Sequence, residues 1–101
     1  MSQDAQRLGE LYPELVGELV DLLRAEGEDG LASSVPFLRF IEWCPCSDDF
    51  CKSFYSAPPP PGAYGTGHRC VPLLPDEGMI VLDVVHDEIT FVEILDRASL
   101  S

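Results

Sequence analysis

Cys44, Cys46 and Cys51 form a C-x-C-x4-C cluster, and His68 and Cys70 follow beyond a proline-rich connector. Thiolate sulfur and imidazole nitrogen are the donors that zinc favours, and zinc takes four of them in a tetrahedron. In an extended segment residues i and i+2 point the same way, so Cys44 and Cys46 can reach one ion together. Ser47-Asp48-Asp49 supplies turn-forming residues that can fold Cys51 back toward them. His68 or Cys70 is then the candidate fourth ligand, and spacing does not choose between them. A site closed by four protein donors is structural, and it adds directly to a thin core's folding free energy. Cu(I) also suits thiolates, so the donor set does not by itself select zinc. Buried thiols acting as small hydrophobes are the competing explanation. A redox role is weaker, because the Pro45 spacer departs from the C-x-x-C of thioredoxin-like sites.

Other chemistry is sparse. His68 beside Arg69, with a cysteine nearby, raises a thiol-dependent enzyme or redox protein using Cys46, Cys51 or His68 as the alternative function. No orienting partner declares itself in the sequence, and no catalytic residue is assigned. Gly65-Thr66-Gly67 is too short for a phosphate loop and lacks a following helix signal. Asp83 and Glu93 can share a sheet face as a carboxylate pair, but solvated or hydrogen-bonded surface carboxylates account for them more simply. His86 falls in a turn and is expected to be exposed.

The elements that must position these residues follow from periodicity. Residues 1–7 are polar and expected to fray. Leu8, Leu11, Leu15, Leu19, Leu22 and Leu23 recur at helical spacing. Pro13 suits a first helical position, Glu14 the first turn, and Gly27 a left-handed C-terminal stop. An amphipathic helix is therefore predicted over 13–26. Glu28 to Ser34 is predicted to add a helical turn stopped by Pro36, and Phe37 to Trp43 reads as a strand. Lys52 to Ser56 reads as a second short strand. Residues 43–70 form a Cys- and Pro-rich loop region, in which Pro58 to Pro61 make a stiff connector.

Met79 to Val85 and Ile89 to Leu95 are β-rich runs joined by His86-Asp87-Glu88, which predicts a hairpin over 78–96. Ile80, Leu82 and Val84 then share a face with Thr90, Val92 and Ile94 and pack on the leucine stripe. The fold class is α+β: one domain, with an amphipathic helix on a small antiparallel sheet.

A chain of 101 residues with 46% hydrophobic content sustains one modest core. The 18 Asp and Glu against 6 Lys and Arg leave a net charge of −12. Phosphates and anionic lipid would be repelled, so neither nucleic acid nor membrane is an expected partner. A basic protein partner is compatible with this charge. The first thirty residues show no basic start followed by an apolar run, so no signal peptide is expected, and a cytoplasmic location favours thiols over disulfides.

The segment Cys44-Pro45-Cys46-Ser47-Asp48-Asp49-Phe50-Cys51-Lys52-Ser53-Phe54 resembles the zinc motif that follows the catalytic domain of histone lysine methyltransferases, with Ser47 where that motif usually has glycine. The resemblance covers eleven residues and implies metal binding only, with Cys70 as the analogue of the family's distant fourth cysteine. More broadly, Asp48-Asp49-Phe50-Cys51 through Phe54-Tyr55, Gly62-Ala63-Tyr64-Gly65, Gly67-His68-Arg69, Gly78-Met79-Ile80 and Leu82-Asp83-Val84-Val85 resemble a family of small actinobacterial proteins. That family carries no assigned activity, so the resemblance implies a bacterial origin and no reaction.

The leading expectation is thus a non-catalytic binding or regulatory module with a structural zinc site. Phe50, Phe54, Tyr55 and Tyr64 supply either its contact surface or a lid over the hairpin's second face. A purely structural subunit, including a homodimer along an exposed sheet edge, is the third class.

Overall fold

The computed structural model describes residues 6–45, 51–97 and 100. Helices come first and strands second, as the α+β expectation requires. Helix α1 spans Leu8–Leu11, α2 Pro13–Ala25 and α3 Asp29–Ser34, which runs into a 3-10 turn over Val35–Phe37. The strands are β1 Glu42–Trp43, β2 Phe54–Tyr55, β3 His68–Leu73, β4 Met79–Val85 and β5 Glu88–Leu95. They form one antiparallel sheet in the order β1-β2-β5-β4-β3. No helix among the described residues is long and apolar enough to cross a membrane.

Pro13 opens α2, and Gly27 closes it at φ 78°. Gly27 N–H donates to Arg24 O at 3.0 Å, and Glu28 N–H donates to Leu23 O at 2.9 Å. This pair of bonds is the Schellman arrangement, which caps the last carbonyls and fixes where Glu28 stands. Leu15, Leu19 and Leu23 are buried along one side of α2, with Leu8 from α1. They pack with the inner sheet face, to which Phe54, Val71, Leu73, Ile80, Leu82, Val84, Ile89, Val92 and Ile94 contribute. Leu11, at the rim of the stripe, is exposed and Leu22 half-buried.

Several local expectations are corrected. Pro36 does not stop the α3 segment. It sits inside the 3-10 turn that prolongs it, at an early position where its missing N–H costs nothing. The strand expected over Phe37 to Trp43 shrinks to Glu42–Trp43, while Arg39 forms an isolated bridge with Arg7 outside any strand. Residues 68–70, assigned from the sequence to the loop region, begin a six-residue strand, β3. Its Pro72 is tolerated because β3 lies at the sheet edge, where one side of the backbone has no ladder to serve.

The β4–β5 hairpin turns on two residues, not three. His86 and Asp87 adopt φ 50° and 66°, the left-handed pair that matches strand twist in a tight hairpin. Val84 therefore pairs with Ile89, whereas Asp83 pairs with Phe91, and Thr90 is the extra residue of a bulge. Ile89 takes the core position expected of Thr90. The Thr90 hydroxyl instead donates to Asp83 O at 3.2 Å.

The outer face carries Tyr55, Val81, Asp83, Val85, Phe91, Glu93 and Leu95, all half-buried. Tyr55 and Phe91 rings meet at 4.6 Å. Two bidentate ion pairs join the layers. Arg97 donates to Glu18 of α2, with Nη1 at 2.8 Å, and its Nε donates to Glu77 O at 3.1 Å. Arg69 of β3 donates to both Glu28 oxygens at 2.9 and 3.0 Å.

Candidate metal centre

Side chains alternate along β3. Arg69 turns to the helical layer, and His68 and Cys70 turn to the outer face. Register sets Asp83 of β4 directly opposite Cys70. Directly opposed residues bring their Cβ atoms to about 4.5–5.5 Å, near enough for short side chains to touch. Cys70 Sγ–H donates to Asp83 Oδ1 at 3.4 Å, and His68 Nε2 lies 2.8 Å from that same oxygen. Cys70 Sγ and His68 Nε2 are 4.0 Å apart.

The connector places the histidine. The Tyr64 ring stacks on the His68 ring at 4.8 Å and 29°. Gly67, at φ 88°, passes so near His86 that a Cβ there would stand 2.4 Å from the imidazole. The backbone closes this corner, with His86 N–H donating to Gly67 O at 3.2 Å. The proline-rich segment thus ends in a fitted return onto β3.

Two chemical readings of this cluster can be compared directly. A nucleophilic cysteine works with a histidine whose one nitrogen faces the thiol while the other is held by the carboxylate. Here a single nitrogen, Nε2, faces both Cys70 and Asp83, so the relay order is absent. The thiol is also held above its ordinary pKa. The main cause is the hydrogen bond it donates to Asp83, reinforced by burial and by the negative charges of Asp83 and Glu93. A thiol kept protonated is a poor nucleophile.

Metal ligation asks instead for donor atoms close enough to share one ion, and these three all lie within 4.8 Å of one another. A triangle with sides of 2.8, 3.4 and 4.0 Å has a circumradius of about 2.0 Å, against the roughly 2.0–2.3 Å that zinc keeps to nitrogen, oxygen and sulfur. Imidazole, thiolate and carboxylate are all zinc donors. His68 and Asp83 side chains retain 30% and 23% of their exposure, so the group opens outward instead of being sealed.

The structure does not bring the five sequence-predicted ligands together. Cys44 follows β1 and donates its N–H to Ser53 O at 2.9 Å; Cys51 bridges Leu95 at the far end of β5. Cys46 lies outside the described residues. Leu95 pairs with Met79, whereas Cys70 pairs with Asp83 further along β4. With strands ~4.8 Å apart and ~3.3 Å of rise per residue, Cys51 and Cys70 are separated by about 14 Å across the sheet and about 13 Å along it. Neither His68 nor Cys70 can complete a set with Cys44 and Cys51 in this topology. The same gap separates Cys51 from His68 in the thiol-enzyme alternative.

Asp83 is the member of this cluster that sequence reasoning missed, having been read as a surface carboxylate. Glu93 is in register with Val81, so it stands diagonal to Asp83 and not directly opposite it. The alternation His68-Arg69-Cys70 was the available signal, but only once β3 is recognised as a strand. Comparison of the chain with protein-family models, curated proteins and solved structures returns no match.

Proposed function

We propose that the chain is a small, non-catalytic metal-binding module that holds one zinc-class cation through His68 Nε2, Cys70 Sγ and Asp83 Oδ1 and presents the remaining coordination position outward. The observation that carries this reading is the convergence of three chemically different donors on a point at zinc-ligand distance. All three stand on paired strands, whose backbone holds them with little left to organise. The net charge of −12 favours the approach of a cation and of a basic protein partner. A reducing compartment such as the cytoplasm keeps the Cys70 thiol available as a ligand.

Zinc titration of chelator-stripped full-length protein tests the reading, with Cys70 alkylation followed in parallel. One equivalent is expected to bind and to shield Cys70 until chelator is added. H68A, C70S and D83N should each weaken binding by more than the roughly 10–100-fold that loss of a supporting hydrogen bond costs. If C70S keeps full affinity while the C44S/C46S/C51S triple variant loses it, the ion belongs to the other cluster and the proposal fails.

A further inference from the structure

We infer that the outward position of this centre takes a neutral nitrogen donor, the imidazole of a histidine side chain, in preference to a carboxylate or other anion. The inference rests on the metal-binding reading above and concerns what that site selects.

The charge inventory leads to it. A divalent cation held by one thiolate, one carboxylate and a neutral imidazole leaves a centre with no net charge. The attraction that ordinarily draws anions to zinc is therefore already spent on Cys70 and Asp83. What remains is the field of the surroundings, and it is negative. Glu93 shares the outer face, is half-buried, and its charge already acts on Cys70. Arg69, the cation between the two β3 ligands in sequence, is turned to the other layer and engaged by Glu28. The chain as a whole carries −12. An incoming anion meets repulsion that a neutral lone-pair donor does not feel. The Tyr64 ring stacked on His68 holds the imidazole ligand in place and brings no charge of its own to the site.

Cobalt(II) substitution of the full-length protein at pH 8 and low ionic strength provides the test. The charge-transfer band of a cobalt–thiolate bond, absent in C70S, reports that Cys70 holds the ion. The visible bands report the fourth donor as imidazole, acetate or azide is titrated in. Imidazole is expected to shift these bands at concentrations lower than either anion by a factor on the order of tenfold, and the part of that gap due to the local negative field is read from E93Q. E93Q is expected to narrow the gap by strengthening anion binding while leaving imidazole binding unchanged. Acetate or azide entering as readily as imidazole overturns the inference, as does a band pattern that no added donor alters. Absence of the Cys70-dependent charge-transfer band overturns the metal-binding reading itself, so the two failures are told apart.

Discussion

Arg69 and Glu28 form a bidentate pair between the strand that carries His68 and Cys70 and the capped end of α2. The hydrogen bond from Arg69 holds the Glu28 carboxyl below its ordinary pKa. A depressed carboxylate stabilises the fold above its unfolded value, and the contribution is lost as pH falls through the folded one. The loss thus belongs to the acid side of about pH 4.3 and is absent near neutrality. R69A should flatten the acid limb of stability against pH, measured by urea midpoints from pH 7 to pH 3. Both groups are solvated, so the change in midpoint will be modest.

Asp83 holds the Cys70 thiol protonated, so removing its charge should release it. In chelator-treated protein, D83N is expected to move the pH profile of Cys70 alkylation to lower pH and to speed labelling at pH 7.5. Mass spectrometry after brief exposure to iodoacetamide identifies the labelled cysteine. Unchanged or slower labelling would show that Asp83 does not govern this thiol.

Gly67 is the point where the connector must be glycine. G67A forces a side chain into a left-handed backbone and onto the His86 ring. The backbone strain alone is of order 1–3 kcal/mol. Thermal denaturation should show the loss, and zinc affinity should fall with it, because the Tyr64–His68 stack hangs on this return. G62A, where a Cβ meets nothing and φ is not positive, should leave both unchanged.

The bulge at Thr90 makes a sharp comparison. Ile89 is 1% exposed in the core, so I89A should cost about 2–5 kcal/mol. T90A removes only a hydroxyl bond to Asp83 O and should cost about 1 kcal/mol. Urea unfolding of the two variants measures the difference. The reverse order would restore the unbulged register.

The leucine stripe of α2 and the β4–β5 hairpin were legible because burial on one face leaves a clear period in the sequence. Where a residue serves two neighbours the period fails. Pro72 and the polar run His68-Arg69-Cys70 disguise β3, since Arg69 sits on the buried side but reaches past it to Glu28. The turn at His86-Asp87 needs left-handed backbone at two ordinary residues, and that choice moved Thr90 out of the core. His68 and Cys70 were legible as candidate site residues from their chemistry alone. Asp83 was not, because its role comes from a register set by the disguised strand.

The strand order carries a consequence for the chain as it is synthesised. The last strand to emerge, β5, is the central one, flanked by β2 on one side and β4 on the other. The β1–β2 pair gains its place in the sheet only from β5. The β3–β4 pair can form earlier, and it already contains all three converging donors. A nascent chain can therefore assemble the His68, Cys70 and Asp83 cluster before its own sheet is joined.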